Sequence, residues 1–554
     1  MLPFHAAADA CPSRTRGHKE FCADGEPVAL YLRRLFLPIG QAGEATIIAL
    51  ADDSPENVSW IRAAYGECQL VYASKPKLLT EIGRRYHARL TDESIFALSR
   101  EKPDLSAHRV VTPGQGAALA AFSAVIALAA WRTPIAMCTA FVMAMSLVFN
   151  AGTLFRVLLS WLGGLPRAEP IALPSHDDPN LPVYSILVPL YREAKIVPDL
   201  CRALLSLDYP SNRLDVKLIV EADDEETAKA CDELRELRGF EVVRVPPSLP
   251  RTKPKAVNFA LRHARGDLLV IYDAEDRPEP DQLLKAVAAF RSLPRAVACL
   301  QARLAFYNQE GWLPKLFALD YFLWFNSLLP GLERLGVPMP LGGTSNHFRT
   351  AVLCEIGAWD PFNVTEDADI GIRLAQLGYR TAMLDSTTFE EAPTQVGVWI
   401  KQRSRWLKGY MQTWLVHGRN AGTLIRHVGI GGFLAFQLFV GGAVLSALIN
   451  PILWAIFALS YAIPLPIFGN FPGDTLGYAS AVGAIGSNGL LTYLAVAGPA
   501  RRGDPKLAPY GLTVAIYWML ISIAGYRGLW HLVTKPFHWE KTTHGLSDEG
   551  SSHA

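Results

Sequence analysis

Residues 268–276 read Leu-Leu-Val-Ile-Tyr-Asp-Ala-Glu-Asp, a short apolar run followed at once by three acidic residues. A run of this length predicts a buried strand, and an α/β sheet brings the polar residues after its strands to one edge, where ligands bind. Carboxylate oxygens are the ligands that Mg2+ or Mn2+ takes. We therefore expect a divalent metal at Asp273 and Glu275, with Asp276 next to them as a possible further ligand.

The chain on both sides of this stretch repeats the pattern. From about residue 183 to 391, strand-like runs alternate with helical stretches, which predicts an α/β domain with a mainly parallel sheet. Glu221-Ala222-Asp223-Asp224 follows another apolar run. Lys255 lies in a basic segment just before the apolar run 268–272, where a lysine is suited to balance the charge of an anionic ligand.

Two further clusters follow the predicted sheet. Thr365-Glu366-Asp367 opens an amphipathic helix, where a carboxylate aimed into a cleft is suited to act as a general base. Gln402-Arg403-Ser404-Arg405-Trp406 lies in an amphipathic stretch that predicts a helix at a membrane surface. Arg405 is suited to clamp a diphosphate, and Trp406 offers a flat face for a sugar ring.

Together these clusters resemble the signature of membrane-embedded family 2 glycosyltransferases such as cellulose, chitin and hyaluronan synthases. The resemblance implies a GT-A type α/β domain that uses a UDP-sugar and Mg2+ or Mn2+. In the family the metal motif is Asp-x-Asp, so the second ligand departs to Glu at position 275. The motif Gln-x-x-Arg-Trp is matched by Gln402, Arg405 and Trp406 without departure.

The resemblance also implies roles for the acidic residues. Asp367 corresponds to the family's general base, with Glu366 beside it. Either Glu221 or Asp223 corresponds to the aspartate that contacts the uracil and ribose, and we favour Asp223. Lys255 corresponds to the lysine of the segment that lines the nucleotide pocket.

The function implied is inverting, processive transfer from a UDP-sugar, with UDP-glucose favoured, onto a growing β-linked polysaccharide. One alternative is the transfer of a single sugar to a lipid acceptor, and another is a non-catalytic membrane scaffold or cyclic-dinucleotide receptor. We expect a multi-pass protein of the cytoplasmic membrane, with its catalytic domain in the cytoplasm and with possible export or regulatory partner proteins.

Composition agrees with a membrane protein rather than a nucleic-acid-binding one. Half of the 554 residues are hydrophobic, and the mean hydropathy is +0.17. The 53 Lys and Arg residues nearly cancel the 52 Asp and Glu residues, so no global basic field favours nucleic acid. The eight cysteines show no metal-ligand spacing.

Apolar segments of spanning length flank the α/β domain. The predicted spans are residues 115–131, 135–155, 428–449, 452–468, 476–497 and 511–533. Four C-terminal spans return the tail to the cytoplasm but put Arg501 and Lys506 outside, against the positive-inside tendency. Three spans remove that conflict but put the tail outside, and we favour four.

The N-terminal part predicts a small α+β domain that resembles the N-terminal domain of type II secretion and pilus ATPases. We expect it to be a docking or regulatory module, with cyclic di-GMP binding as a further possibility implied by the resemblance. The full division that we predict is a disordered N-terminus (1–24), this small domain (25–105), two transmembrane helices (114–160), the GT-A domain (175–395), interfacial helices (396–426), three to four transmembrane helices (427–534) and a C-terminal tail (535–554).

Overall fold

The computed structural model describes residues 27–166, 171–238, 240–462, 474–501 and 504–540. The predicted disordered N-terminus and most of the predicted tail lie outside these residues.

The N-terminal unit is a three-stranded sheet with three helices packed against it. Strand β2 pairs antiparallel with β1 and parallel with β3. The elements are α1 (Pro27–Arg34), β1 (Phe36–Ala42), β2 (Ala45–Leu50), α2 (Pro55–Tyr65), β3 (Cys68–Tyr72) and α3 (Lys75–Glu101). This arrangement is the small α+β domain that the sequence predicts, whereas its resemblance to secretion ATPases stays a prediction.

Helix α3 joins the N-terminal unit to the α/β domain. The amide of Asn258 donates to the carbonyl oxygens of Ser94 (3.1 Å) and Trp359 (2.8 Å). Beyond the end of α3, the Asp360 carboxylate accepts hydrogen bonds from the Ala107 amide (2.5 Å) and the Ser106 hydroxyl (3.2 Å). The two units are therefore tied together by buried polar contacts.

The α/β domain is built on a curled eight-stranded sheet in the order β6-β5-β4-β7-β10-β9-β11-β8. The strands are β4 (Tyr184–Leu190), β5 (Leu214–Glu221), β6 (Glu241–Val245), β7 (Leu268–Ile271), β8 (Arg277–Pro278), β9 (Val297–Phe306), β10 (Asn346–Arg349) and β11 (Arg380–Glu390).

The sheet is mixed, with four parallel and three antiparallel strand pairs, so parallel pairing predominates as the sequence predicts. Strands β4 to β7 are parallel to one another, but β10 is antiparallel to both of its neighbours and β8 is antiparallel to β11. Strand β10 follows the loop of residues 336–345 instead of a long crossover helix, so it enters the sheet from the opposite end. The helices of this domain are α6 (Val197–Leu205), α7 (Glu225–Arg238), α8 (Lys253–Leu261), α9 (Gln282–Ser292), α10 (Trp312–Leu323), α11 (Leu329–Leu335), α12 (Thr350–Glu355) and α13 (Glu366–Gln376).

Long helices flank the α/β domain. Helices α4 (Pro113–Arg132) and α5 (Pro134–Gly163) precede it. After it come α14 (Val396–His417), α15 (Ala421–Phe436), α16 (Gly442–Ala462), α17 (Asp474–Arg501) and α18 (Val514–Thr534). By length and composition, four helical segments of the described chain are suited to cross a membrane: Pro113–Arg132, Pro134–Gly163, Ala421–Ile456 and Ala508–Thr534.

One predicted division is wrong. As far as residue 462, the predicted spans 428–449 and 452–468 fall on a single helical run, because the π-helical turn Gln437–Gly441 joins α15 to α16, and α16 continues through Pro451 to Ala462. Residues 463–468 of the second span lie outside the described residues. A proline inside a helix removes one backbone hydrogen bond and does not have to end it, and neighbouring helices re-satisfy the freed group. The break in this run lies earlier, at Gly429, where φ is +72°.

Helix α18 lies lengthwise along α14, and the two helices run in the same direction. The Ser404 hydroxyl donates to the Ala524 carbonyl (2.8 Å), and the Trp399 indole donates to the Tyr517 hydroxyl (3.3 Å). A Cβ at Gly528 would stand 2.8 Å from the Ser404 carbonyl oxygen, so a larger residue would separate the helices there.

Candidate active site

A cavity of about 1100 Å³ opens at the carboxyl ends of β4, β5 and β7. Leu190, Glu221 and Asp273, the residues at or just after the ends of these three strands, line it. The first residues of α13, the middle of α14 and the apolar helices α5, α16, α17 and α18 also contribute to its wall. The cavity therefore connects the edge of the sheet with the apolar helices.

The turn after β7 separates the roles of its three acidic residues. Asp273 and Glu275 line the cavity. Asp276 is buried, and its Oδ2 accepts hydrogen bonds from the Asp273 amide (2.8 Å) and from the Thr344 hydroxyl. Asp276 therefore shapes the turn that presents Asp273 and Glu275, which is a structural role that the sequence left open.

The cavity wall around this turn suits a cation. The Oε1 atom of Glu390 and the Oδ1 atom of Asp276 are buried and have no hydrogen-bond partner in the part of the chain that the structure describes. Burial, reinforced by nearby carboxylates that include Asp273 and Glu275, raises the pKa of Glu390 well above its usual range. A divalent cation relieves such crowding of negative charge.

The protein ligands for this cation are fewer than a complete site needs. No three His, Cys, Asp or Glu side chains converge with metal-binding geometry among the described residues. Asp273 and Glu275 would hold Mg2+ or Mn2+, and substrate phosphates usually supply further ligands to such an ion. The residues present fit a metal that binds together with a diphosphate.

The lysine that reaches the cavity is Lys253 rather than Lys255. The Lys253 ammonium contacts the Asp273 carboxylate (2.5 Å) and the Gly343 carbonyl (2.7 Å). Lys255 is fully buried and pairs with Glu221 at 2.8 Å. Residues two positions apart on a helix point to different faces, so only one of these lysines can face the cavity from α8. The expectation for Lys255 is corrected accordingly.

The structure separates the two candidates for nucleotide contact. Glu221 lines the cavity beside its partner Lys255. Asp223 is not among the lining residues; its half-exposed carboxylate accepts a hydrogen bond from Arg251 at 2.5 Å. Asp223 therefore reaches the cavity only through Arg251, which lines it. The role that we favoured for Asp223 stays a prediction.

Glu366 and Asp367 lie at the start of α13, as the sequence predicts, and both line the cavity. Burial, with the neighbouring charge of Asp367, raises the pKa of Glu366 to about 7, while Lys253 and Arg405 oppose the shift. Burial likewise raises the pKa of Asp367. A raised carboxyl pKa is typical of groups that accept protons near neutral pH.

Gln402, Arg405 and Trp406 also line the cavity, on the face of α14 that looks toward α13. The Arg405 guanidinium lies 5.4 Å from the ring centre of Trp539, and its Nε has no hydrogen-bond partner among the described residues. Trp406 packs against Phe317, with ring centres 5.9 Å apart. The structure therefore brings these three residues together with Glu366 and Asp367.

Comparison with known proteins now adds to this geometry. Residues 179–409 match a family model described as "Glycosyltransferase like family 2". This part of the chain is a family 2 glycosyltransferase domain. It contains every site residue discussed above, from Glu221 to Trp406, so the glycosyltransferase domain carries the whole predicted donor site.

The glycosyltransferase domain is similar to enzymes named for different products. Beta-monoglucosyldiacylglycerol synthase of Trichormus variabilis is 27% identical over 258 residues, which are 46% of this chain and 54% of that protein. Glucomannan 4-beta-mannosyltransferase 2 of Arabidopsis thaliana is 24% identical over 261 residues, which are 43% of this chain and 47% of that protein. The chain thus spans about half the length of the curated relatives it matches.

Among solved structures, the mannosyltransferase PcManGT of Pyrobaculum calidifontis, in complex with GDP-Man and Mn2+, is 19% identical. The match covers 70% of this chain and 99% of that one, with a TM-score of 0.44.

Sequence reasoning missed two groups of residues in the glycosyltransferase domain and beside it. Lys253 and Glu390 lie beside the turn of residues 273–276 that follows β7. The sequence held a signal for each of them: Lys253 is a second lysine two positions from Lys255, and Glu390 is a carboxylate at the end of a strand. Phe537 and Trp539 enter the cavity from the segment after α18. That segment belongs to the predicted C-terminal tail, and nothing in its local pattern predicts where it folds back.

Proposed function

We propose that this chain is an inverting glycosyltransferase that moves a sugar, with glucose favoured, from a UDP-sugar to an acceptor hydroxyl at the cytoplasmic face of a membrane. The observation that carries this proposal is the single cavity that joins Asp273, Asp367 and Arg405 to the apolar helices. A donor and a membrane-bound acceptor can meet in such a cavity without passing through bulk water.

Each cavity residue has a chemical task in this proposal. Asp367 takes the proton of the acceptor hydroxyl as that oxygen attacks the anomeric carbon opposite the leaving group. Lys253 and Arg405 neutralise the negative charge that grows on the diphosphate as the glycosidic bond breaks. A bound Mg2+ or Mn2+ supplies Lewis-acid stabilisation of the same charge. Trp406 positions the acceptor by contact with its sugar or headgroup.

The extent of the cavity favours a lipid acceptor that receives one sugar. On α5 the described lining residues run from Phe149 to Ser160, on α16 from Ala443 to Asn450, and on α17 from Asn488 to Ala495. These are the halves of the three helices that lie nearer the glycosyltransferase domain. On α5, whose residues are all described, no lining residue lies in the half farther from the glycosyltransferase domain. A cavity confined to the near half of this helix favours an acceptor that is held at one face of the membrane.

Processive synthesis of a β-linked polysaccharide is the second candidate. The Gln-x-x-Arg-Trp motif favours it, and so does the aromatic wall that Trp406 forms with Phe317 and Tyr321. In that case the far halves of the membrane helices have to separate during synthesis so that the polymer can pass.

We further propose that α4, α5, the α15–α16 run and α17 cross the membrane and that α18 lies along its surface. Because α18 packs lengthwise on α14, both helices belong to one layer at the boundary of the glycosyltransferase domain. The Lys408 ammonium donates to the carbonyl oxygen of His538 (2.8 Å), which holds the segment after α18 on the side of that domain. Arg501 and Lys506 then lie on the cytoplasmic side, in accord with the positive-inside tendency.

The test is purification in detergent and incubation with single radiolabelled UDP-sugars, Mg2+ or Mn2+, and membrane lipids. We expect label in a lipid-extractable product from one donor, and its loss in Asp367→Asn with donor affinity unchanged. Asp177→Asn is the matched control, because Asp177 is exposed and lies outside the cavity. Label in a polymer instead supports the second candidate. A product that Asp367→Asn makes at the wild-type rate contradicts the assigned base.

A further inference from the structure

Helix α5 carries one charged residue, Arg156, and its side chain lines the cavity. Arg156 precedes the last residue of the helix, Gly163, by seven positions, which is about 10 Å along the axis. Charged residues inside membrane helices are costly and face protein cavities or partners, where they have functional roles. This depth places the guanidinium near the level of lipid headgroups.

The charges around Arg156 do not balance. Arg403 forms an ion pair with Asp320 at 2.7 Å. The Tyr517 hydroxyl accepts a hydrogen bond from Arg403 (2.8 Å) and donates one to Asp320 (3.4 Å). Arg156 lines the same cavity, but it makes no hydrogen bond or ion pair with any residue that the structure describes. Asp320 therefore balances Arg403, and the positive charge of Arg156 remains without a paired carboxylate among the described residues.

This surplus charge lies apart from the donor site. The other carboxylates of the cavity wall lie near the ends of the strands and at the start of α13; they are Glu193, Glu221, Asp273, Glu275, Glu366, Asp367, Glu390 and Glu391. The wall that the apolar helices contribute is instead amphipathic: it combines Ser160, Asn450 and Asn488 with Phe149 and Trp518. Such a wall suits a molecule with an anionic, hydrogen-bonding head and an apolar body.

We propose that Arg156 binds a phosphate group of a lipid acceptor that also carries the hydroxyl to be glycosylated. A guanidinium recognises phosphate through two parallel hydrogen bonds, which no neutral headgroup can replace. The proposal rests on the lipid-acceptor function above and names the chemistry of that lipid. Two sources fit it: a glycerophospholipid with a free hydroxyl, and a polyprenyl diphosphate that carries a sugar.

The first experiment measures binding and needs no turnover. The intrinsic tryptophan fluorescence of the full chain in neutral detergent is titrated with dioctanoyl phosphatidylglycerol, dioctanoylglycerol, farnesyl diphosphate and farnesol. Four tryptophans line the cavity, Trp324, Trp406, Trp518 and Trp539, so occupancy alters their emission. We expect the phosphate-bearing members of both pairs to bind about tenfold or more tightly than the neutral ones, and Arg156→Gln to abolish the difference.

The control is Arg132→Gln, because Arg132 is an exposed arginine at the end of α4 and is remote from the cavity. It should bind like the wild type. Equal affinity for charged and neutral members, or an unchanged preference in Arg156→Gln, overturns the proposal. Competition by inorganic phosphate alone at similar concentrations also overturns it, since the site would then recognise a free anion rather than a lipid.

The second experiment measures transfer with each pair as acceptor, using a sugar-carrying prenyl diphosphate for the isoprenoid arm. We expect Arg156→Gln to raise KM for the phosphate-bearing acceptor about tenfold or more while donor hydrolysis without acceptor stays at the wild-type rate. The phosphate-bearing acceptor that reacts better shows whether the natural lipid is a glycerophospholipid or a polyprenyl diphosphate. If no UDP-sugar reacts at all, the proposed function fails, whereas the binding experiment still decides the role of Arg156.

Discussion

Nε2 of His417 lies 2.8 Å from Oδ1 of Asp369, and both side chains are completely buried between α13 and α14. Burial alone would raise the pKa of Asp369, but the charges of Arg373 and His417 hold it below its usual range. His417 also contacts the Gln376 amide oxygen at 2.9 Å. The helix that begins with Glu366 and the helix that carries Arg405 are thereby fixed to each other.

Replacement of His417 tests this link. His417→Ala leaves a buried carboxylate with one partner fewer, so we expect the free energy of unfolding to fall by about 1.5–3 kcal/mol. Thermal unfolding in detergent, followed by tryptophan fluorescence, measures the change. His427→Ala serves as the control because His427 is exposed on α15. A variant that melts like the wild type would show that the link does not stabilise the protein.

The close contact between Gly409 and Thr365 gives a second test. A Cβ at Gly409 would stand 2.0 Å from the Thr365 hydroxyl, which is far inside van der Waals contact. Gly409→Ala must therefore push α14 away from the loop before Glu366, and we expect sugar transfer to fall at least about tenfold, since small misplacements of reacting groups are costly.

Gly397 provides the matched control on the same helix. A Cβ there meets nothing within 4 Å, so Gly397→Ala should transfer sugar at the wild-type rate. Initial rates with saturating donor measure both variants. Equal activity of the two would mean that the packing of α14 on Thr365 does not position the site.

The two lysines of α8 should differ in what they affect. Lys253→Gln removes the cation beside Asp273, and we expect the Kd for UDP to rise about tenfold. Lys255→Gln leaves Glu221 buried without its partner, and we expect a loss of about 3–5 kcal/mol of stability. Calorimetric titration with UDP and thermal unfolding measure the two effects. If Lys255→Gln instead raised the Kd for UDP and Lys253→Gln lowered stability, Lys255 would be the ligand of the diphosphate.

The pKa of Glu366 predicts opposite pH trends for activity and stability. Because the folded-state pKa of about 7 exceeds the ordinary value of 4.5, the folded protein holds this proton more tightly than the unfolded chain. Stability from this group is therefore present below pH 4.5 and is lost as pH rises to 7. Activity should rise over the same range, as the carboxylates beside Lys253 ionise.

Glu366→Gln provides the comparison, because its side chain does not titrate. Its melting temperature should change less than that of the wild type between pH 5 and pH 8, and the acidic limb of its rate profile should move to lower pH. Glu366 and Asp367 titrate as a coupled pair, so the acidic limb of the rate profile reports both carboxyl groups together. An unchanged rate profile would exclude Glu366 from the titration.

Metal removal tests the turn after β7. We expect chelation to abolish transfer and Mn2+ or Mg2+ to restore it, because Asp273 and Glu275 provide oxygen ligands beside the diphosphate site. Asp273→Asn and Glu275→Gln should each raise the metal concentration needed for half-maximal activity. Full activity in chelator would contradict the metal assignment.

The sequence by itself determined the elements and the chemical types. The apolar runs before Asp273 and Glu221 specify buried strands, and the order of helix and strand brings their ends to one edge of a sheet. The placement of Asp273, Glu275, Asp367 and Arg405 on one cavity follows from this local information. Spanning length and composition likewise indicate the membrane helices without reference to their neighbours.

The tertiary structure alone decided which side chain of each cluster faces the cavity. Lys253 or Lys255, Glu221 or Asp223, and Asp273 or Asp276 are equivalent choices of chemistry two or three positions apart, and helix phase and buried partners select between them. The tertiary structure also decided the contacts between distant segments. The contacts of Trp539 with Arg405 and of Arg403 with Asp320 depend on how segments far apart in the chain pack, and no local pattern encodes that packing.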